Sequence, residues 1–184
     1  MGLVLVGSAV SGAPGPDSAQ QARISKLSDS IDEAEEAEDL DLVNELECHL
    51  WLDGPESTKG RVGGELRTLF LAMNGRALRA GDIGEAIWAM DSWNRLEELN
   101  VPTTVIVGDL DLPHIVERST TMARRIPGAT LVEVNEVAHL VAFEDPIGFS
   151  ELLTSFLGSL TIIGHEAAHG LVDRDGHRQP RQPR

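Results

Sequence analysis

Apolar residues in this chain fall into two patterns, short unbroken runs and longer stretches with helical spacing. Leu3-Val4-Leu5-Val6 is a continuous apolar run closed by Gly7 and Ser8. Such a run suits a strand buried on both faces, as in a parallel sheet covered by helices. Thr103–Val107, after Pro102, and Thr130–Val134 are β-branched and apolar and predict two further strands. Between the first run and Pro102 the period changes. Residues 18–52 read as helix with a break in the acidic middle, entered from the turn-rich GAPGPD at 12–17, with Ser18 placed to cap it. Leu40, Val43, Leu46 and Leu50 recur at three- and four-residue steps and so share one helix face. DGPESTKG at 53–60 reads as a loop, and residues 62–79 predict a second amphipathic helix through Leu66, Leu69, Phe70 and Met73. Residues 85–99 predict one or two short helices with Trp88 and Trp93 as apolar anchors, 114–126 a helix between the two later strands, and 149–157 a closing helix.

Strand, helix and strand joined by short links form a parallel unit with a right-handed crossover. The segment between the first strand and Thr103 is too long for a simple crossover and reads as an inserted helical cap. The expected fold class is therefore α/β: a partial parallel sheet of about three strands flanked by helices. The expected organisation is a core of residues 1–14 and 100–158, a cap over 15–99 and a disordered tail over 159–184.

Charge narrows the partners. The net charge of −15 argues against nucleic acid, whose phosphates need basic surface. Acids crowd residues 29–56, among them Asp29, Asp32, Glu33, Glu35, Glu36, Glu38, Asp39, Asp41, Glu45 and Glu47. A solvated helix face accounts for them; an acidic partner-binding surface is the sharper alternative. Arg174, Arg178, Arg181 and Arg184 beside Pro180 and Pro183 have the composition of a disordered tail. No apolar run reaches the roughly 20 residues of a membrane span, and MGLVLVGSAVSG has no basic region before its apolar part. The single cysteine, Cys48, excludes an internal disulfide and a cysteine zinc cluster. The expectation is a cytoplasmic protein with no membrane partner and no cofactor.

The chemistry concentrates in VPTTVIVGDLDLPHIVERSTTMARRIPGATLVEVNEVAHLVAFEDP, residues 101–146. In an open parallel sheet, ligands bind beyond the carboxyl ends of the strands. Asp111 follows the strand ending at Val107, within G-D-L-D, and His139 follows the strand ending at Val134. One carboxylate and one imidazole thus project from the same edge of neighbouring strands. Serine-type hydrolysis uses this pair: the imidazole takes the nucleophile's proton, and the carboxylate fixes its tautomer and stabilises its cation. His114 lies just past the acid turn and is read as a helix-start residue able to line a pocket, His49 as a partly buried cap residue, and Cys48 as no nucleophile.

These segments resemble the α/β-hydrolases, above all their small capped esterase, lactonase and C–C hydrolase-like members. VPTTVIVGDLDLPH is similar to the family's penultimate strand and acid turn, where G-x-x-D begins at Gly108 and places the triad acid at Asp111. VEVNEVAHLVAFEDP is similar to the last strand and histidine loop, which places the base at His139 with Glu144 and Pro146 closing the loop. Ala138 stands where the family usually has glycine. GLVLVGSAVSG resembles the strand before the cap, and WLDGP at 51–55 a cap element; the resemblance spans about residues 2–158. It implies an ester, lactone or similar carbonyl as substrate of the full-length form.

The nucleophile departs from that pattern. The family's order is Ser in G-x-S-x-G, then acid, then His, and no G-x-S-x-G occurs in the sequence. Gly7-Ser8 and Ser11-Gly12 only echo it, after the wrong strand. The expectation is a C-terminal part of such an enzyme, lacking the N-terminal strands and nucleophile elbow and inactive alone. The 3–6 strand would then be an apolar edge open to self-association. The alternative is a non-catalytic interaction protein with a truncated fold. A third reading starts from His165-Glu166-Ala167-Ala168-His169, which matches the zinc-protease pattern H-E-x-x-H, with Asp175 as a third ligand. Gly164 and Gly170 bracket it and leave little helix, and a chance match on an exposed tail is the expectation, so no metal is expected.

Overall fold

The computed structural model describes residues 1–80, 84 and 90–169, and for 161–169 the helix backbone alone. Three strands form one parallel sheet in the order β1 (Leu3–Val6), β2 (Thr103–Gly108), β3 (Thr130–Val134). The register pairs Leu3 with Thr103 and Val6 with Ile106 on one side of β2, and Thr104 with Thr130 and Gly108 with Val134 on the other. β2 is the interior strand, buried along nearly its whole length, while β1 is half-buried and β3 largely exposed.

Between β1 and β2 lies a helical segment, referred to as the cap after the expectation above. Helix α1 (Ser18–Glu36) begins at a capping box in which the Asp17 carboxylate accepts the Gln20 N–H and the Gln20 side chain accepts the Asp17 N–H. The cap is thus Asp17 and not Ser18, which is the first helical residue; either residue type can satisfy the open N–H groups of a first turn. The chain breaks at Ala37–Asp39, with Glu38 at φ +55°, and α2 (Leu40–Cys48) follows, capped by Asp39. A π-helical turn at His49–Asp53 continues α2, and α3 (Gly64–Leu78) follows the 54–63 loop and packs on α2. Val43 is fully buried as its periodicity requires, but on α3 only Phe70 of the predicted apolar face is buried, with Leu69 and Met73 exposed. Trp93–Glu98 is a 3₁₀ turn; Trp88 lies outside the described residues.

The core helices follow the sequence closely. α4 (Pro113–Arg125) joins β2 to β3, with Pro113 in its first turn, where its missing N–H costs nothing. A single turn, α5 (Val141–Glu144), leads into α6 (Pro146–His169). α6 is longer than expected at both ends, so residues 159–169, assigned above to a disordered tail, are helical; residues 170–184 lie outside the described residues. Gly164 did not end the helix, because one glycine costs only about 1 kcal/mol inside a helix.

Alternation along the strands divides the core in two. Leu5 and Val105 face α4 and the 3₁₀ turn, packing with Leu96, Met122 and Ile126. Val4, Val6, Ile106, Val132 and Val134 face the other way, against Val141, Phe149 and Leu152 of α5 and α6. A separate cluster of Cys48, Leu52 and Phe70 holds the cap and is completed by Leu140 and Phe143. The cap therefore packs directly on the turn that carries His139.

Candidate active site

β2 and β3 both end at the same sheet edge, and the two turns beyond them are bonded to each other. Asp109 N–H donates to the Val134 carbonyl at 3.0 Å and Leu110 N–H to the Val137 carbonyl at 3.0 Å. Gly108 is what permits this approach. A Cβ there would run into the carbonyl oxygens of Val137 and Ala138, so the histidine turn can lie against the end of β2 only where no side chain stands. Gly108, expected above as a supporting residue, makes room for the histidine turn by having no side chain.

The two turns bring Asp111 and His139 together. His139 Nδ1 lies 3.0 Å from Asp111 Oδ2 and 3.1 Å from Oδ1. The Asp111 side chain is fully buried, and Oδ1 also accepts the Leu112 N–H at 2.7 Å. An acceptor-only carboxylate opposite Nδ1 makes that nitrogen the proton-bearing one in the neutral ring, which leaves the Nε2 lone pair available as a base. His139 keeps about a quarter of its side-chain surface exposed, while Asp111 keeps none. Trp51 of the cap covers part of the imidazole, with ring centroids 4.8 Å apart and planes tilted by 49°. On the sheet side, Gly7 ends β1 at φ +49°, and a Cβ there would sit 3.1 Å from the His139 ring. The imidazole is thus held between the end of β1 and the cap.

Glu144 and Pro146 lie at the far end of the same turn. Glu144 Oε1 accepts the Ala138 N–H at 2.8 Å, and Oε2 is ion-paired with Arg61. Burial raises the Glu144 carboxyl above its ordinary range, against the opposing pull of Arg61 and the Ala138 N–H. Pro146 begins α6.

Among the described residues, no serine, threonine or cysteine hydrogen-bonds to His139. Ser8 Oγ bonds instead to the Val6 carbonyl at 3.4 Å. Cys48 is fully buried in the cap core, and burial pushes its thiol up to about 11, so it is no nucleophile at neutral pH. His114 lines a cavity of about 200 Å³ with Gln20, Trp93 and Arg118, and His139 is not part of its wall. His49 Nδ1 lies 3.5 Å from the buried carboxylate of Asp53. No group of three metal-ligating side chains occurs among the described residues. His165 and His169 stand on the α6 backbone with their side chains outside that description, as is Asp175.

An apolar cavity of about 330 Å³ lies between α3 and the histidine turn, lined by Phe70, Met73, Asn74, Ala77, Leu140 and Phe143. The exposed Met73 on α3 is part of this wall. The helix is legible in the sequence and the cavity is not, because a periodic face does not say whether it meets a neighbour or a gap. Arg61 and Asp53 were also missed. Their one signal is an arginine in a glycine-rich loop and an aspartate in WLDGP, both ordinary for turns.

Solved structures share this fold. MenH from S. aureus superposes with a TM-score of 0.58 at 20% identity, covering 86% of this chain and 59% of its own. A thermophilic esterase from Thermogutta terrifontis gives 0.57 at 23% identity, covering 86% and 56%. The enol-lactonase from Burkholderia xenovorans LB400 gives 0.57 at 21% identity, covering 86% and 56%. The chain therefore has the α/β-hydrolase fold, in part: it spans between 56% and 59% of the length of these three structures. No family model and no curated protein matches the sequence. Among the described residues, no helix is long and apolar enough to cross a membrane.

Proposed function

We propose that this chain is the C-terminal part of a serine-type hydrolase acting on an ester, lactone or similar carbonyl. The single observation that supports the reading is the 3.0 Å approach of His139 Nδ1 to the buried carboxylate of Asp111 at the carboxyl ends of β2 and β3. In the complete enzyme, His139 Nε2 takes the proton of a serine hydroxyl as its oxygen adds to the substrate carbonyl. The imidazolium formed is stabilised by Asp111. When the tetrahedral adduct collapses, the C–O bond to the leaving alcohol breaks and the alcohol oxygen receives that proton. Water then adds to the acyl-serine by the same route and releases the acid. The apolar cavity beside Leu140 and Phe143 would take the acyl or alcohol portion.

The nucleophile is not in this chain, and the chain alone is inactive. Turnover of p-nitrophenyl acetate or butyrate should not exceed background and should not change in His139→Ala. Joining it to an in-frame upstream segment that encodes G-x-S-x-G should give turnover that His139→Ala abolishes. Turnover by the chain alone that His139→Ala removes would refute the inactivity. A second reading, a non-catalytic binder, is favoured by one observation: the half-buried β1 forms an open sheet edge beside a groove of about 530 Å³.

A further inference from the structure

The loop that follows Trp51 grips the histidine turn through contacts that the Asp111–His139 pair does not itself require. Arg61 has four acceptors. Its Nε donates to the Asp53 carbonyl at 2.6 Å, Nη1 to the Glu136 carbonyl at 2.9 Å, and Nη2 to the Leu52 carbonyl at 2.7 Å and to Glu144 Oε2. Two of these acceptors belong to the cap and two to the histidine turn. Glu144 passes the grip on, because its other oxygen accepts the N–H of Ala138, the residue before His139. We propose that Arg61 is a positioning residue for His139, acting through Glu144 and the Glu136 carbonyl, so that the cap sets the place of the base as well as the shape of the pocket. The inference rests on the reading of His139 as that base.

First, the turn needs an external hold. Glu136 sits at φ +59°, a left-handed conformation that is strained for a non-glycine residue, and Arg61 binds its carbonyl. Second, the hold is rigid. The Glu144 side chain is only 5% exposed and the Arg61 side chain 24%, so the pair is poorly screened. The planar fork of arginine fixes direction as well as charge, which a lysine ammonium does not. Third, the loop that carries Arg61 is itself fixed. The buried Asp53 carboxylate accepts the N–H groups of Gly60 at 2.7 Å and Val62 at 3.0 Å on either side of Arg61, and pairs with Arg67 at 3.0 Å. Without Arg61, the Ala138 end and the Glu136 end of the turn each lose an anchor. His139 then spends time beyond hydrogen-bond reach of Asp111.

The test reads His139 directly in the intact chain, which needs no nucleophile. The His139 Nδ1 proton, bonded to Asp111, should give a proton resonance downfield of the amides, assigned by its loss in His139→Gln. Asp111→Asn should abolish it. Arg61→Gln should raise its exchange with water on the order of tenfold while circular dichroism stays that of the folded chain, and Arg61→Lys should fall between the two. Where Arg61→Gln does not fold, Glu144→Gln keeps the size and an acceptor for Ala138 N–H but loses the ion pair, and should give a smaller rise in the same direction, because Arg61 keeps the Glu136 carbonyl. Loss of the resonance in Asp111→Asn with unchanged exchange in the folded Arg61 or Glu144 variant overturns the positioning role and leaves the pair standing. An unchanged resonance in Asp111→Asn overturns the pair, and the positioning role with it.

Discussion

Asp53 shows how much one residue can tie together. Its carboxylate has no exposed surface and faces Arg67, the N–H groups of Gly60 and Val62, and His49. Burial alone would raise this carboxyl; the two N–H groups and the Arg67 guanidinium outweigh it and hold it below its ordinary range. A carboxylate depressed in the folded state contributes stability that is fully present above its unfolded value of about 3.9 and is lost as pH falls through the lower folded value. Asp53→Asn removes one partner of a buried pair and should cost about 3 kcal/mol at pH 7, at the low end because Arg67 keeps Glu45 at 3.0 Å. Urea melts of the two proteins should differ by that amount at pH 7 and converge below pH ~4. A difference that persists undiminished at low pH would mean that packing, and not the charge, sets the cost.

At the scale of elements, the cap is a second core, built from Cys48, Leu52 and Phe70 and tied to the rest through Leu140, Phe143 and the Arg61 loop. Cys48 reports on it. Its thiol is raised to about 11 by burial first, with Arg67 opposing and Asp53 and Glu45 adding to the rise. A thiol raised in the folded state leaves stability unaffected below the unfolded value of about 8.5 and lowers it as pH climbs from there toward 11. Labelling of Cys48 by a disulfide reagent at pH 8 should therefore be at least a hundredfold slower than in urea, and Cys48→Ala should remove its share of the alkaline loss of stability. Fast native labelling would show that the cap opens apart from the sheet.

These same elements show what the sequence carried. β2 and β3, the acid turn and the histidine turn were legible, because β-branched runs and strand-end polar residues are local signals. The break near Ala37 was legible as an acidic interruption of the apolar period, and the end of α3 at Leu78 lies within a residue of the 62–79 expected from spacing. The N-cap at Asp17 and the reach of α6 to His169 were not, since adjacent residues can serve equally as caps and a single glycine is a weak stop. The Arg61–Glu144–Ala138 chain spans residues 61 to 144, and its members have no periodicity to announce it. Contacts of that separation come from the packing of cap on core, which no local pattern encodes.

For the whole molecule, two forces on association oppose each other, and their balance can be read with salt. β1 pairs with β2 on one side, and its other edge carries no strand among the described residues. Its residues are apolar, and the groove alongside is walled by Leu3, Leu5, Val10, Leu96 and Leu99 with Arg95 and Glu98 at the rim. An open apolar edge favours strand pairing with a second copy. The net charge of −15 resists bringing two copies together. That repulsion acts over the Debye length, about 30 Å at 0.01 M and about 8 Å at 0.15 M salt, whereas strand pairing and apolar burial are short-ranged and little weakened by salt. Association should therefore strengthen as salt rises. Size-exclusion chromatography should show the 19.9 kDa chain moving to a larger species between those two conditions. Leu3→Lys, which puts a charge into the groove wall at a residue outside the core clusters, should shift it back toward monomer. A monomer at every salt concentration would leave β1 as an edge protected by its own neighbours. Association that weakens with salt would place the contact on charged surface, away from the sheet.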